Sequence, residues 1–291
     1  MLGEIRGEVR FKEPLSFHTS LRIGGPADIF VVPQDVEDIR HALMFADREQ
    51  LPVAVVGGGN TLVVRDRGIR GVVLKLEGCL GRAEFYGEEA LAGAGVGLSA
   101  LIREAAALNL GGIECLVGIP ATIGGALAMN AGTADGWIGD FVSAVYFLHP
   151  DGSLGEFKPS GAFGYRAFYL PRGAVLIGCR LQLHRRPLSE IQKEIRARLK
   201  QKKATQPLAL ASAGFVWKNP AGDLASRLIE KAGLRGKRVN GAEISSKHAN
   251  FIVNRGGAGA ADILSLMELT RERVHGHFGI TLETEIRILG E

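Results

Sequence analysis

The apolar positions of this chain change period several times, and each change marks an element. Residues 35–48 carry Val36, Ile39, Leu43 and Phe45/Ala46 at helical spacing with charges between them, which predicts a helix. Val55-Val56 reads as the end of a buried strand, and Leu62-Val63-Val64 as a second apolar run after an intervening stretch of glycine. Strands are expected at 71–76 and 90–97, with a short helix over 98–108 that ends before Asn109 and Gly111-Gly112. Segments 142–148 and 153–157 flank Pro150-Asp151-Gly152 as a hairpin, and 174–183 follows as a strand. Near residue 188 the character changes. Ser189 is positioned to cap a basic amphipathic helix with Ile191, Ile195 and Leu199 on one face, its Lys/Arg run most simply a solvated face. Residues 248–254 predict a strand, and 261–278 a helix closed by Gly279. The last strand, 280–289, alternates: Ile280, Leu282, Ile286 and Ile288 on one side, Thr281, Glu283, Glu285 and Arg287 on the other. The pattern gives a Gly-rich α/β region, then a compact α+β domain.

Between the strand at Val55-Val56 and Leu62 lies Gly57-Gly58-Gly59-Asn60-Thr61. Three glycines let successive backbone N–H groups turn inward with no Cβ in the way, which makes a nest for an anion. A plain glycine turn explains the stretch equally well. It is neither a Walker loop nor a dinucleotide G-x-G-x-x-G opening a helix. A second stretch, Gly118-Ile119-Pro120 through Gly132, is built almost wholly of small residues, with Thr122 and Asn130 as its polar side chains. Tight helix packing accounts for it, and so does a backbone surface against a flat or extended cofactor.

Composition narrows the classes. The chain has 291 residues, 40 of them glycine, enough for two or three domains and many close backbone approaches. A net charge of +4 suits a phosphate-bearing ligand and falls short of a nucleic-acid footprint. Cys79, Cys115 and Cys179 stand far apart in apolar surroundings, as buried thiols of a reducing compartment do. No metal site is expected, since His275 and His277 at i, i+2 diverge on a helix. The N-terminus lacks a signal-peptide core and no apolar run reaches membrane-spanning length, so a cytoplasmic protein without membrane insertion is the expectation.

Several blocks together resemble the UDP-N-acetylenolpyruvylglucosamine reductases, in their shorter subtype. They are His18-Thr19-Ser20-Leu21-Arg22-Ile23-Gly24-Gly25, Gly57 through Thr61, Gly118 through Gly132, Phe163-Gly164-Tyr165-Arg166, Trp217-Lys218-Asn219-Pro220, and Leu282-Glu283-Thr284-Glu285-Ile286-Arg287. The resemblance covers nearly the whole chain in order. It implies an α+β protein: a vanillyl-alcohol-oxidase-type FAD-binding domain of two α/β subdomains, 1–80 and 81–187, plus a C-terminal α+β substrate-binding domain, 188–291. It implies non-covalent FAD, NADPH as co-substrate, and a UDP-linked amino sugar enolpyruvate as substrate. A monomer with no nucleic-acid partner is expected, serving peptidoglycan precursor synthesis. The implied cofactor contacts are Val56, Gly57, Gly58, Gly59, Asn60 and Thr61 around the pyrophosphate, with Gly118, Ile119, Pro120, Ile123, Gly124, Gly125, Asn130 and Gly132 along the flavin and adenine. His18 is read as structural.

The implied reaction reduces an enolpyruvyl ether to a lactyl ether by flavin-mediated hydride transfer. Such a site needs a cation near the substrate carboxylate, an acid that polarises it, and a proton donor. The resemblance assigns the first to Arg166, whose planar fork grips a carboxylate bidentately, and the second to Glu285 rather than Glu283. By residue type alone, a surface arginine and an outward-facing glutamate explain both. Lys218 and Asn219 are expected to meet the UDP diphosphate, and Tyr165 to pack near the substrate. The third role departs from the family, whose motif Ala-Gly-Ser-x-Phe-Lys-Asn-Pro supplies a serine donor. Here the position is Phe215, within Ala213-Gly214-Phe215-Val216-Trp217-Lys218-Asn219-Pro220. Phenylalanine donates no proton; Ser212 after a loop shift, an ordered water, or Glu285 are the candidates. Two rivals stand beside this reading. A flavin enzyme for another substrate shares the N-terminal blocks but lacks the Lys218-Asn219-Pro220 and Glu285 blocks. A degenerate binding paralogue fits the loss of the donor.

Overall fold

The computed structural model describes residues 2–291. The chain divides into two compact units: residues 1–11, 29–58 and 70–202 form one, and residues 12–28, 59–69 and 203–291 the other.

In the first unit the helix Val36–Arg48 forms where the period predicts it. Asp35 caps it by accepting from the N–H groups of Glu37 and Asp38, and Ile39, Ala42, Leu43 and Ala46 bury one face. Asp38 is completely buried and accepts from the backbone N–H groups of Arg6, Gly7 and Gln34 at 3.1, 2.8 and 2.9 Å. Burial pushes its pKa up, but those three donors together with Arg6 outweigh it, and the net shift is downward. The strand Val53–Val56 runs parallel to Ile69–Lys75, in register from Val53↔Val72 to Val56↔Lys75. It is the edge of a four-stranded sheet.

A five-stranded antiparallel sheet follows, in the order Leu154–Phe157, Val142–Leu148, Val175–Gln182, Glu89–Gly93, Ala83–Tyr86. The helices Leu98–Ala107 and Ile123–Ala128 seal a core on it, with Leu101, Ile123 and Leu127 fully buried. The hairpin and the strand at 174–183 appear as expected. Burial pushes the thiols of Cys79 and Cys115 up to about 11 and that of Cys179 up to about 12, so all three are inert.

The second unit holds a four-stranded antiparallel sheet, Ala211–Ser212, Ile252–Asn254, Ala242–Ile244, Arg238–Val239. Trp217, Leu228, Ile229, Ile263, Leu266 and Val274 fill its core. The helix Ala260–Phe278 ends on Gly279 at φ +69°, a left-handed stop.

Four details differ from the sequence reading. The helix expected to be capped by Ser189 runs Leu188–Thr205, and the Pro187 carbonyl accepts from Glu190 and Ile191, so Ser189 lies inside the first turn. The strand expected at 248–254 pairs only over Ile252–Asn254, because His248 and Asn250 belong to a turn organised on the Ser245 hydroxyl. Within 280–289 the burial alternation holds, but only Arg287–Leu289 forms a ladder, parallel to Leu62–Val64. Residues 163–166 are no free loop: Phe163–Gly164 and Ala167–Phe168 pair as a short hairpin with Tyr165-Arg166 at its tip.

Candidate functional site

Arg166 sits at that tip with φ +53°, a left-handed conformation that non-glycine residues rarely hold. Its guanidinium lies 4.9 Å over the Trp137 ring and 6.0 Å from the Tyr165 ring, and one nitrogen donates to the Gly132 carbonyl at 3.3 Å. Trp137 and Tyr165 meet edge to face at 5.5 Å. Asn130 holds the assembly together: buried and at φ +40°, it donates to the Gly164 carbonyl at 2.9 Å and accepts from Gly139 N–H at 3.1 Å. Gly132 is obligatory in the adjoining hairpin, since a Cβ there would meet the Gly136 carbonyl and Trp137. The first unit therefore brings Asn130, Gly132, Tyr165 and Arg166 together. Trp137 was missed in the sequence; its pairing with Arg166, 29 residues on, leaves no periodic trace.

The glycine stretch behaves partly as a turn and partly as a nest. A Cβ on Gly57 would collide with the Thr122 hydroxyl, and one on Gly59, at φ +65°, with the His18 carbonyl. The chain itself thus requires both glycines. Yet among the described residues no protein acceptor takes the backbone N–H of Gly58, Gly59 or Asn60. Backbone amides left without a protein acceptor are what an anionic pyrophosphate needs, so the residues fit FAD here. Thr122 caps the helix Ile123–Ala128 through Gly125 N–H. Val56 and Ile123 are buried, while Gly118, Ile119, Pro120, Gly124 and Gly125 keep accessible surface. Gly124 packs tightly enough that a Cβ would press on Ala94 at 3.0 Å.

In the second unit Trp217 bridges to Thr284, with Lys218 N–H donating to the Glu283 carbonyl at 2.9 Å and Glu285 N–H to the Val216 carbonyl at 2.8 Å. The Lys218-Asn219 and Glu283-Glu285 segments are thereby brought together. Asn250 makes Trp217 immobile, accepting from its N–H at 2.9 Å and donating to its carbonyl at 2.8 Å. Of the two candidate glutamates, Glu283 is exposed and faces the Lys218 ammonium at 3.4 Å, whereas Glu285 is half-buried. The Asn219 carboxamide oxygen accepts from Ala225 N–H at 3.0 Å, fixing the start of the helix Ala225–Lys231.

Phe215 stacks on His248 (centroids 5.0 Å, planes 17° apart), and Phe251 meets both rings edge-on at 5.2 Å. Burial lowers the His248 pKa, and its Nδ1 faces the Asn250 N–H at 3.3 Å, which leaves a neutral ring with its proton on Nε2. Ser212 is pinned rather than mobile. It pairs with Val253, and its carbonyl accepts from the Ser20 hydroxyl at 2.7 Å. Among the described residues no group of three or more His, Cys, Asp or Glu side chains is placed to hold a metal ion.

Residues 206–289 match the family described as UDP-N-acetylenolpyruvoylglucosamine reductase, C-terminal domain, and residues 27–158 match the FAD binding domain family. A curated UDP-N-acetylenolpyruvoylglucosamine reductase from Geobacter metallireducens is 43% identical over 99% of this chain and 96% of its own. The chain belongs to the UDP-N-acetylenolpyruvoylglucosamine reductase family. The crystal structure of the reductase from Thermus caldophilus superposes with a TM-score of 0.83 at 36% identity, covering 98% of this chain and 100% of the other. The 6-hydroxy-D-nicotine oxidase of Arthrobacter nicotinovorans shares the fold alone, at TM-score 0.50 and 18% identity over 96% of this chain and 62% of that one. The α+β architecture, with an FAD-binding domain family match over residues 27–158, is thus shared with the Thermus reductase along 98% of this chain.

Proposed function

We propose that this chain is the NADPH-dependent flavoenzyme that reduces UDP-N-acetylglucosamine enolpyruvate to UDP-N-acetylmuramate in peptidoglycan precursor synthesis. Full-length kinship with the Geobacter reductase carries the reading. In it, residues 1–80 and 81–187 hold FAD, and 188–291 hold the substrate. Bound FAD supplies hydride transfer between NADPH and the enolpyruvyl double bond.

The chain's own residues do the rest. The backbone of Gly57 through Thr61 holds the pyrophosphate, and the accessible glycines at 118, 124 and 125 admit the cofactor's rings, with Asn130 fixing the backbone beside them and Gly132 buried in the adjoining hairpin. The Arg166 guanidinium, braced by Trp137 and the Gly132 carbonyl, grips the substrate carboxylate as negative charge accumulates on it. Such a charge-assisted, bidentate contact strengthens toward the transition state. Glu285, half-buried where Glu283 is exposed, polarises that carboxylate. Lys218 and Asn219 meet the diphosphate, and Tyr165 packs beside the sugar enolpyruvate. The α-carbon takes its proton from a group other than residue 215.

We further propose a monomer in the cytoplasm, in keeping with the family's small-molecule chemistry; no helix among the described residues is long and apolar enough to cross a membrane. Steady-state oxidation of NADPH with enolpyruvyl-UDP-GlcNAc, with the product identified by mass spectrometry, tests the proposal. UDP-N-acetylmuramate formed in proportion to NADPH consumed supports it. NADPH consumption without that product counts against it.

A further inference from the structure

The strand Ile69–Lys75 is buried along nearly its whole length; of its two charged residues Arg70 keeps partial exposure, whereas Lys75 is 8% exposed. Taking an ammonium this far from water is costly unless it is paired and hydrogen-bonded. Lys75 Nζ has two contacts, the Gly57 carbonyl at 2.7 Å and a carboxylate oxygen of Glu77 at 2.8 Å. Glu77 is itself half-exposed, so the buried end of the interaction is the bond to Gly57.

That bond has a geometric consequence. Among the described residues there is no cis peptide, so the Gly57 carbonyl and the Gly58 N–H point in opposite directions. Anchoring the carbonyl on Lys75 therefore turns the Gly58 N–H away from Lys75. This is the amide for which no protein acceptor is found among the described residues. The Thr122 hydroxyl occupies the space a Gly57 Cβ would need and is itself held by Gly125 N–H, so residue 57 must be glycine here.

We propose that Lys75 is a positioning residue for FAD: its ammonium fixes the Gly57–Gly58 peptide so that the Gly58 N–H is presented to the cofactor's diphosphate. The inference rests on the reading of the glycine stretch as the pyrophosphate site. It predicts that Lys75 matters for the phosphate part of the cofactor and not for the flavin ring.

The test compares FAD with riboflavin, which has the ring and no phosphate, by flavin-fluorescence titration of the apoprotein. Wild type, K75M and K75R are titrated, and thermal melts of the apoproteins are recorded alongside. K75M is expected to weaken FAD binding by about tenfold to a hundredfold, the worth of one hydrogen bond to a charged group, with riboflavin affinity changed less than about twofold. K75R keeps the charge but sets a broader group against Gly57, and its FAD preference falls by less. An unchanged FAD-to-riboflavin ratio in both variants overturns the proposal. So does equal weakening of both flavins, the mark of a merely structural lysine. A wild-type protein that binds FAD no tighter than riboflavin instead removes the pyrophosphate reading beneath it.

Discussion

The rings of Phe215 and His248 lie face to face at 5.0 Å, at the position the sequence resemblance expects a serine proton donor. Phe215 is thus packed into an aromatic cluster, and its neighbour is a neutral imidazole. Because burial lowers the His248 pKa below its ordinary 6.5, the native ring resists protonation. The stability tied to this group is fully present above about pH 6.5 and falls as pH drops through the window between the native and unfolded pKa values.

Restoring the serine separates the two costs of this arrangement. Phe215→Ser is expected to lose about 1–2 kcal/mol of stability, less than a fully buried phenylalanine costs when truncated. It is also expected to raise the rate at which enolpyruvyl-UDP-GlcNAc reoxidises the NADPH-reduced protein in stopped flow. No gain, or a loss, shows that another donor already serves.

Arg166→Lys keeps a charge and loses the fork. Its kcat/KM for the enolpyruvyl substrate is expected to fall about 10- to 100-fold, as one charged hydrogen bond is lost. FAD content, read from the protein's visible absorbance, should be unchanged. An Arg166→Lys enzyme with wild-type kcat/KM removes the assignment.

Asn130 provides a test of positioning. Asn130→Gly keeps access to φ +40° and loses both side-chain hydrogen bonds; Asn130→Ala loses the bonds and strains the backbone as well. Chemical denaturation is expected to rank them wild type, Gly, Ala. The glycine variant should cost about 1–3 kcal/mol and the alanine variant about 1 kcal/mol more. Equal stabilities for wild type and Asn130→Ala contradict the account of this residue.

Lys202 gives a pH signature. Its Nζ donates to the Val117 carbonyl at 2.7 Å, and burial, with Arg198 and Arg166 nearby, pulls its pKa from 10.5 down to about 8. Between those values the unfolded chain binds more protons than the native one, so the lysine's contribution becomes more favourable as pH rises. The stability difference between wild type and Lys202→Met should therefore shift toward wild type from about pH 8 to 10.5. A difference flat across that range contradicts the shifted pKa.

Much of this was legible from the chain alone. The helix Val36–Arg48 announces itself because its apolar period, its Asp35 cap and its acidic first turn agree. The glycine stretch and the Arg166 motif stand out as residue patterns. What stayed hidden depends on partners distant in sequence. Period-two alternation in 280–289 shows which side chains are buried, but not that Arg287–Leu289 alone would pair, with Leu62–Val64. Residues 12–28 and 59–69 cluster with 203–291 through such long-range contacts, which local composition does not encode. Tyr165-Arg166 read as a loop because a two-residue hairpin tip leaves strands too short for a period. Lys75 left a signal that went unused: the one charge in the apolar run 71–76.

The central claim is that this chain carries electrons from NADPH to the enolpyruvyl ether through bound FAD. An anaerobic absorbance titration of the purified protein tests it most directly. The account predicts a yellow protein that bleaches on adding NADPH and regains its colour on adding enolpyruvyl-UDP-GlcNAc. Bleaching by NADPH with no return of colour on that substrate would contradict it.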